Sequence, residues 1–480
     1  MSTASQTPAS DTRADFLILA LIPLVLAAAV SFATPILGDG DTFWHLAAGR
    51  WIIAHGSVPH TDPFSYTFAG RPWDTQEWLT EAGMASVFAA AGWGGVMLIT
   101  GLAVGATAAM MAAWLRVWLR PLSVVATLAI GIACVAPSML ARPHILALPV
   151  LALWTVALLD ARRRDRPPSL WLIPLMALWA NLHSSFIVGL GVAGMLGLEA
   201  VLGAKDRRLR TALAWGAFGL AALGAALLTP HGVNGLIFPV KVMGMKTLPI
   251  IDEWRGPDFS KLEPVEIALL AGIFVGFWRG VRVPFVRLLA LLALVHMTLQ
   301  HVRQEVVLGV LAPLLLAEPL GRALGAAGAE PAAPPRFGLG PTLLAAFLFV
   351  ALIAARVAIP QDRVDGKTAP ITALAHVPAS LRALPVMNDY AFGGYLIFQG
   401  VRPYIDGRAD MYGDAFVQDH ENIMRGESMA VDAAFSRYGV RWTILAPGSG
   451  LAAEMATRPG WRRIYADQYA VVDEKVSCAC

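Results

Sequence analysis

Long apolar stretches dominate this sequence and alternate with short polar segments. Windows of roughly 20 residues with few or no charged side chains recur as far as about residue 358, and about 20 apolar residues are enough for a helix to cross a bilayer. The pattern therefore predicts eleven membrane helices, of which those near residues 169 and 304 are short. They are expected at 16–37, 83–115, 121–138, 144–160, 169–182, 185–203, 211–229, 264–279, 285–300, 304–319 and 340–358.

The composition supports a membrane protein and excludes several other classes. The 480 residues are 56% hydrophobic and only 15% charged, whereas soluble globular domains carry about 25% charged residues. A soluble enzyme, a coiled coil and a disordered scaffold are excluded. The net charge of +3 gives no support for nucleic-acid binding. Of the three cysteines, Cys134 lies in an apolar stretch, and the roles of Cys478 and Cys480 stay open.

The basic residues of the loops predict the orientation. One set of alternate loops holds fifteen Lys and Arg residues in short connections, and the other set holds eight in longer ones. Cytoplasmic loops carry the excess of positive charge, so the N-terminus is expected inside and the segment after residue 359 outside. Nearly all unusual polar residues near helix ends then fall on the outer side, and a site is expected there.

The first outer loop, residues 38–82, contains the most distinctive polar text. Asp39 and Asp41 directly follow the first predicted membrane helix. Residues 42–54 suit an interfacial helix that Gly56 would end, and residues 74–77 resemble a capping box that opens the next helix. The aspartates could act as a general base at the membrane surface, where partial desolvation raises a carboxyl pKa. Alternatively, Asp41 simply caps the interfacial helix.

Other polar residues at predicted outer helix ends could bind a lipid phosphate and a sugar. Arginine offers bidentate hydrogen bonds to phosphate, and polar groups inside apolar stretches are costly unless they have a role. Helix capping and snorkelling at the interface are the alternative interpretations. The residues expected to bind the donor are Arg142, His144, His183, His301 and Arg303.

From about residue 360 the composition becomes that of an ordinary mixed domain. Strands are predicted at 384–388, 402–405, 442–446, 461–465 and 469–472, and helices at 415–424, 428–437 and 449–457. This alternation predicts a small α/β domain over 360–480, joined by a linker at 321–337 and the last membrane helix. Asp406 and Arg408 could bind an acceptor, or they could form an internal pair in a turn.

The arrangement as a whole resembles the GT-C superfamily of membrane glycosyltransferases. The matching text is Gly-Asp-x-Asp-Thr-Phe-Trp-His from Gly38, Val-Pro-x-x-Asp-Pro-Phe-Ser-Tyr-Thr from Val58, and Glu-Trp-Leu from Glu77, with further matches at 181–183 and 388–408. The layout, with an Asp after the first membrane helix, a long outer loop, many helices and an outer C-terminal domain, is similar over most of the chain. Protein O-mannosyltransferases, the aminoarabinose transferase of lipid A and the oligosaccharyltransferase catalytic subunit share it.

The resemblance implies a sugar transferase that uses a polyprenyl-phosphate-linked donor. Asp41, or Asp39, would be the carboxylate that activates the acceptor, and Arg142, Arg303 or both would stabilise the leaving phosphate. This chain has Asp-Gly-Asp where many relatives have adjacent acidic residues, so the identity of the base stays open, as does a divalent cation held by both aspartates. Further residues expected at the acceptor or in the loop are His45, Asp62, Glu77, Arg255, Asp406 and Arg408.

The expected protein is thus mainly α-helical, with a transmembrane domain over 1–359 and an outer α/β domain over 360–480. It would lie in a bacterial inner membrane and move a sugar to a lipid, glycan or protein acceptor on the periplasmic face, without nucleic-acid partners. Two other classes stay open. A transporter or flippase would need polar residues along the bilayer middle and usually an internal repeat, and a non-catalytic assembly subunit would need neither aspartate.

Overall fold

A computed structural model describes residues 12–247, 249, 252–325 and 337–476. The predicted linker falls largely on residues 326–336, and Cys478 and Cys480 are near the C-terminus, so these parts lie outside the described residues. The chain is mainly helical, with a small sheet near its C-terminus, as the sequence predicts.

Apolar helices form the first three quarters of the chain. All eleven predicted stretches are largely helical, and eight helices of the described residues are long and apolar enough to cross a membrane. The protein is therefore membrane-embedded, while the count of eleven crossings and the inside N-terminus stay predictions. The eight are α1 (Thr12–Phe32), α3 (Trp78–Trp118), α4 (Pro121–Ser138), α5 (Pro143–Arg163), α7 (Phe186–Gly203), α8 (Arg208–Ala226), α12 (Val302–Ala323) and α13 (Leu339–Ala358).

Among the described residues before the C-terminal domain, five further helices follow the interface or are shorter. The interfacial helix predicted over 42–54 is confirmed as α2 (Asp41–His55), and it ends at Gly56, whose φ of 62° is readily adopted by glycine. No helix was predicted over Val233–Met243, which forms α9. The others are α6 (Leu172–Leu182), α9 (Val233–Met243), α10 (Pro264–Arg279) and α11 (Phe285–Gln300).

The entry into α3 differs from the prediction. The predicted capping box over 74–77 is wrong, because α3 begins only at Trp78 and Glu77 caps it without a side-chain hydrogen bond. The side chain of Glu77 is instead paired with two histidines. The helix also breaks at Ala91 and Gly92, where Gly92 has a φ of 57°.

The C-terminal domain contains a four-stranded sheet in the order β1-β2-β4-β3. Strand β1 pairs parallel with β2, and the remaining pairs are antiparallel. The strands are β1 (Val386–Asn388), β2 (Trp442–Leu445), β3 (Trp461–Ala466) and β4 (Val471–Lys475). The helices are α14 (Ile371–Ala375), α15 (Ala379–Arg382), α16 (Gly393–Phe398), α17 (Ala409–Met424), α18 (Ser428–Tyr438) and α19 (Gly450–Met455).

The strand predicted over 402–405 is wrong. Its backbone bonds to side chains instead of to a neighbouring strand: the Tyr404 N–H donates to Asn388 Oδ1 at 2.7 Å, and the Tyr404 carbonyl accepts from the Thr67 hydroxyl at 2.6 Å. Asn388 also donates to the Ile405 carbonyl at 2.8 Å. These bonds satisfy the segment while it crosses between the sheet and the first loop.

Two layers of the molecule meet at α2. Below α2, the apolar helices share one large buried core with the residues around α3 and α5. Above it, Phe43 of α2 packs in the core of the C-terminal domain, edge-on to Tyr395 with ring centroids 5.2 Å apart. The interfacial helix therefore holds the C-terminal domain against the apolar helices, and the two predicted aspartates lie at its start.

Candidate functional site

One side-chain and one backbone hydrogen bond bring the start of α2 and the residues before it to the connection between α4 and α5. The Thr42 hydroxyl donates to the Ala141 carbonyl at 3.1 Å, and the Ala141 N–H donates to the Ile36 carbonyl at 2.8 Å. Arg142 is the next residue, so its side chain reaches the aspartates although 101 residues separate it from Asp41. Asp41 is also the first residue of α2, where the helix dipole favours a negative charge.

One guanidinium group is held by three carboxylates. Arg142 Nε lies 3.1 Å from Asp39 Oδ2, one of its terminal nitrogens pairs with Asp41, and the other pairs with Glu253. Glu253 accepts a second ion pair from Arg303 Nη1 at 3.2 Å. We call these five residues the loop cluster; it contains three carboxylates and two guanidiniums.

The two arginines of the loop cluster differ in how far they are engaged. The side chain of Arg142 is 13% exposed and all three of its guanidinium nitrogens face carboxylates. Arg303 is 30% exposed, has one carboxylate partner, and its guanidinium lies 4.3 Å from the ring centre of Trp254. Arg303 can therefore accept an additional anion more readily than Arg142 can.

Burial and neighbouring charges shift the pKa values of the three carboxyl groups in the loop cluster. Burial raises the pKa of Asp41 to about 7, Arg142 opposes this rise, and Asp39 adds to it. Burial also raises the pKa of Asp39. Burial acts in the same direction on Glu253, but Arg142 and Arg303 outweigh it and lower its pKa to about 2. At neutral pH the cluster therefore holds one firm carboxylate and one group, Asp41, that can take up and release a proton.

The loop cluster does not fit a divalent cation bound by Asp39 and Asp41. Arg142 already provides the positive charge between them and engages an oxygen of each. A cation at the same place would have to displace the guanidinium or approach it closely, and like charges at that distance repel strongly.

Of the four predicted histidines, His45 and His183 lie in one group with Glu77 and Glu81, whereas His144 and His301 have other partners. His45, Glu77 and His183 lie together next to the loop cluster, with Glu81 as a fourth member. His144 Nε2 is 2.9 Å from the Ser138 carbonyl oxygen, and the ring centre of His144 lies 6.3 Å from that of His183. Burial lowers the pKa of His45 to about 3, so its imidazole is neutral at pH 7.

His301 and Arg255 support the loop that carries Glu253. His301 Nδ1 lies 2.7 Å from the Trp254 carbonyl oxygen, which favours a proton on that nitrogen. The exposed side chain of Arg255 donates to the Pro249 carbonyl at 3.0 Å, and its own carbonyl accepts from the Val302 N–H at 2.8 Å. These contacts link the segment before α10 to the start of α12, where Arg303 lies.

Asp62, Asp406 and Arg408 come together in a buried ion cluster. Arg408 binds Asp406 with Nε and Nη2 at 2.7 and 2.6 Å, and its Nη1 lies 2.8 Å from Asp62 Oδ1. The Tyr412 hydroxyl donates to Asp406 at 2.7 Å. All three charged side chains are at most 1% exposed, so this cluster fastens the C-terminal domain to the first loop and presents no atom to an acceptor.

The same docking places a glycine against Asp41. A Cβ atom built on Gly407 would lie 1.8 Å from Asp41 Oδ1, and one built on Gly394 would lie 2.3 Å from the Gly40 carbonyl oxygen. Any side chain at these positions would push the domain away from the aspartates. Tyr390 belongs to the same interface: burial raises its pKa, and the negative charge of Asp41 adds to the rise.

Sequence reasoning gave no site role to Glu81 or Tyr390. Glu253 belongs to a polar run, Asp-Glu-Trp-Arg, that could contact a substrate or form an ordinary solvated loop, and only Arg255 of that run was named as a candidate. Glu81 lies one helical turn after Glu77, a spacing that puts both on one face of α3. Tyr390 follows Asn388-Asp389, within text that already resembled the superfamily.

Comparisons with known proteins report likeness of structure alone. No protein-family model matches the chain, and no curated protein matches it in sequence. Among solved structures, the archaeal oligosaccharyltransferase AglB from Archaeoglobus fulgidus, in complex with an inhibitory peptide and a dolichol-phosphate, aligns with a TM-score of 0.53 at 10% identity. The alignment covers 96% of this chain and 74% of that one.

A second solved structure is ArnT from Cupriavidus metallidurans bound to undecaprenyl phosphate. It aligns with a TM-score of 0.49 at 14% identity, over 95% of this chain and 98% of that one. The likeness to AglB extends over nearly the whole chain and includes both the apolar helices and the C-terminal domain. The chain therefore shares its fold with this oligosaccharyltransferase, one of the proteins whose layout its sequence resembles.

Proposed function

We propose that this protein is a membrane glycosyltransferase that moves a sugar from a polyprenyl-phosphate carrier to an acceptor hydroxyl. The observation that carries the proposal is the loop cluster: two aspartates directly after the first membrane helix, gathered with Arg142, Glu253 and Arg303 at one end of a GT-C fold. In such a reaction a carboxylate takes the proton of the acceptor hydroxyl, and a nearby guanidinium, here Arg303, stabilises the phosphate that leaves the sugar.

In the proposed reaction Asp41 takes the proton of the acceptor hydroxyl. The acceptor oxygen then bonds to the anomeric carbon of the sugar, and the bond from that carbon to the phosphate oxygen breaks. The electron pair leaves with the polyprenyl phosphate. A general base works best when its pKa lies near the operating pH, and burial brings the pKa of Asp41 to about 7.

The two arginines have different roles in this proposal. Arg303 binds the leaving phosphate, because it is the more exposed guanidinium and has one carboxylate partner in the cluster. Arg142 positions Asp39 and Asp41, since its guanidinium nitrogens already face carboxylates. Asp39 shares the guanidinium with Asp41 and raises the pKa of the base by its charge.

The site would face the periplasm of a bacterial inner membrane. The support for this orientation is a sequence count: one set of alternate predicted loops, opposite to the set with the aspartates, holds fifteen Lys and Arg residues in short connections, and cytoplasmic loops carry the excess of positive charge. The donor would thus reach the site from the outer leaflet, and the acceptor would be a lipid, glycan or protein exposed there.

Cell-surface glycan analysis tests this function. A deletion strain would be complemented with the wild type, Asp41→Asn or Asp39→Asn at matched protein levels, with Asp258→Asn in an exposed loop as the control. We expect a sugar that is missing in the deletion strain and restored by the wild type and the control, but not by Asp41→Asn.

A non-catalytic assembly subunit is the second candidate function. The observation in its favour is that Arg142 engages both aspartates, which would suit a purely structural role. Full restoration of the glycan by both Asn variants would establish this candidate and remove the proposed mechanism.

A further inference from the structure

A cavity with several arginines in its walls lies at the ends of the helices opposite the loop cluster. Helix α5 begins directly after Arg142 and has 21 residues, so its two ends are about 31 Å apart. The cavity lies at the far end, where the turn after α5 meets the connection between α7 and α8. We call it the arginine pocket, after the four arginines among its lining residues: Arg162, Arg166, Arg207 and Arg210.

The turn after α5 places two of these arginines side by side. The Arg166 N–H donates to the Ala161 carbonyl at 3.1 Å, and the Asp165 N–H donates to the Arg162 carbonyl at 3.2 Å. Asp165 has a φ of 49°, which aspartate adopts more readily than most residues. This combination is a Schellman motif, which ends the helix and reverses the chain. Arg166 therefore lines the same pocket as Arg162 of the last helical turn.

Two ion pairs connect the walls of the pocket. Arg207, which directly precedes α8, pairs with Asp165 of the turn after α5. Arg162 Nε lies 3.3 Å from Glu199 Oε1 of α7. The pocket is thus formed by three segments that their own charges hold together.

The walls of the pocket carry a surplus of positive charge. Four arginines line it, but Asp165 is its one carboxylate among the described residues and is already paired with Arg207. Within the described part of the chain no carboxylate pairs with Arg210, which lies in the first turn of α8. A cation is unfavourable at that end of a helix and an anion is favourable. The pocket therefore suits an anion, and guanidinium groups bind phosphate through paired hydrogen bonds.

The volume of the pocket limits the size of this anion. The cavity measures about 210 Å³, whereas sites for drug-sized ligands measure about 300–1,000 Å³. A water molecule occupies roughly 30 Å³ in the liquid, so the space equals about seven waters. It can hold a phosphate group with a few carbon atoms, but it is too small for a nucleotide.

Apolar side chains flank the pocket. Leu209 and Leu213 lie one turn apart on α8 and are 74% and 65% exposed, and Trp171, shortly after the turn that follows α5, is 47% exposed. Helix α8 is long and apolar enough to cross a membrane, and most of its residues are not buried by the rest of the protein. Tryptophan is enriched at the level of the lipid headgroups. The pocket therefore lies beside a surface that suits lipid chains.

We propose that the arginine pocket binds the phosphate headgroup of an anionic phospholipid. Arg207 and Arg210 would bind the phosphate oxygens, and the acyl chains would follow Leu209 and Leu213 along α8. Basic pockets between membrane helices bind the headgroups of anionic lipids, and the flanking leucines favour a lipid over a free phosphate ion. The lipid would fasten the turn after α5 to the start of α8. The site is independent of the proposed sugar transfer, because it uses none of the five residues of the loop cluster.

Native mass spectrometry of the full-length protein in detergent tests the proposal. Delipidated wild-type protein would be titrated with phosphatidylglycerol, or with phosphatidylcholine of the same acyl chains, whose choline group brings a further positive charge to the arginines. We expect one phosphatidylglycerol per chain to bind more tightly than phosphatidylcholine. Equal binding of the two lipids would overturn the proposal, as would displacement of phosphatidylglycerol by inorganic phosphate at the same concentration.

Two arginine variants locate the lipid at the pocket. Arg210→Gln removes a lining residue, and Arg208→Gln removes the same charge from an exposed residue in the same turn that does not line the pocket. Each variant loses the general attraction of one basic residue to an anionic lipid, about fivefold in affinity. Arg210→Gln also loses hydrogen bonds to the phosphate, so we expect its affinity to fall about 10–100-fold. Equal effects of the two variants would contradict the assigned site.

A third variant separates this site from the loop cluster. Arg303→Gln changes the proposed phosphate ligand of the sugar transfer and should bind phosphatidylglycerol like the wild type. Loss of the lipid in Arg303→Gln but not in Arg210→Gln would place it at the loop cluster and overturn the proposal. The lipid series on the wild type decides the matter if Arg210→Gln does not fold.

Discussion

The loop cluster differs from a second group of charges at the other ends of the helices. That group, the helix-end cluster, consists of Arg162, Glu199, Arg287, Glu318 and Arg322. Arg287 binds Glu199 in bidentate fashion, with Nε and Nη2 at 2.8 and 2.9 Å, and its Nη1 lies 3.3 Å from Glu318. Arg162 Nε adds an ion pair with Glu199 at 3.3 Å. Arg322 Nη2 also pairs with Glu318, so two carboxylates face three guanidiniums and both carboxylates are fully neutralised.

The loop cluster has the same chemical groups but a different balance. Three carboxylates face two guanidiniums, and burial brings the pKa of Asp41 to about 7. A cluster whose guanidiniums outnumber its carboxylates stabilises the packing of helices, whereas a cluster with a surplus of carboxylates and a titrating group can exchange a proton. Buried ion pairs with perturbed pKa values also occur in purely structural networks. What distinguishes a functional cluster is therefore the ratio of carboxylates to guanidiniums and the exposure of its side chains.

Replacement of Asp41 should have the largest effect on activity. Asp41→Asn keeps the shape of the side chain but removes the base, and positioned acid–base groups contribute roughly 10²–10⁴-fold to rates. We expect turnover of a polyprenyl-phosphate sugar by purified protein to fall by that factor while the thermal midpoint stays near the wild-type value. Wild-type turnover in Asp41→Asn would contradict the assignment of the base.

Replacement of Arg287 should lower the stability of the protein and leave its activity unchanged, the reverse of what is expected for Asp41. Arg287→Leu leaves Glu199 buried with a weakened partnership, and breaking a buried ion pair costs roughly 3–5 kcal/mol in the free energy of unfolding. We expect a large fall in the denaturation midpoint and an unchanged turnover per folded molecule. The double variant with Glu199→Gln should recover part of the stability; equal stability of the single variant and the wild type would break the comparison.

Replacement of Arg303 should weaken binding of the lipid-phosphate donor more than it slows proton transfer to Asp41. Hydrogen bonds to charged groups contribute roughly 1.5–3 kcal/mol, so Arg303→Gln should raise the KM for the lipid-phosphate donor about 10–100-fold. Steady-state kinetics at several donor concentrations measure this effect. Arg425→Gln, at the exposed end of α17 and outside the loop cluster, is the matched control, and an equal rise in KM there would show that the effect is not specific.

The change of kcat/KM with pH should be the smallest of the four effects. The base acts when deprotonated, so the rate should increase as pH rises through the Asp41 pKa of about 7. The ionised fraction of a group with that pKa grows about tenfold between pH 6 and pH 8. We expect kcat/KM to follow this increase in the wild type, and a flat profile over this range would exclude Asp41 as the titrating group.

Much of the fold could be predicted from the chain because hydrophobic periodicity and length act locally. The apolar stretches predicted the helices of the first 358 residues, and Gly56 predicted the end of α2 because glycine readily takes a positive φ. The segment at 402–405 was misread for the same reason. Its composition suits a strand, but its hydrogen-bond partners, Asn388 and Thr67, lie far away in the sequence.

The sequence by itself determined that this is a mainly helical membrane protein with two aspartates after its first apolar helix. The tertiary structure alone decided which charges meet. It brought Arg142 and Glu253 to Asp39 and Asp41, and it buried Arg408 between Asp406 and Asp62. Local patterns depend on neighbours within a few residues, whereas ion clusters depend on helix ends and loops that only packing brings together.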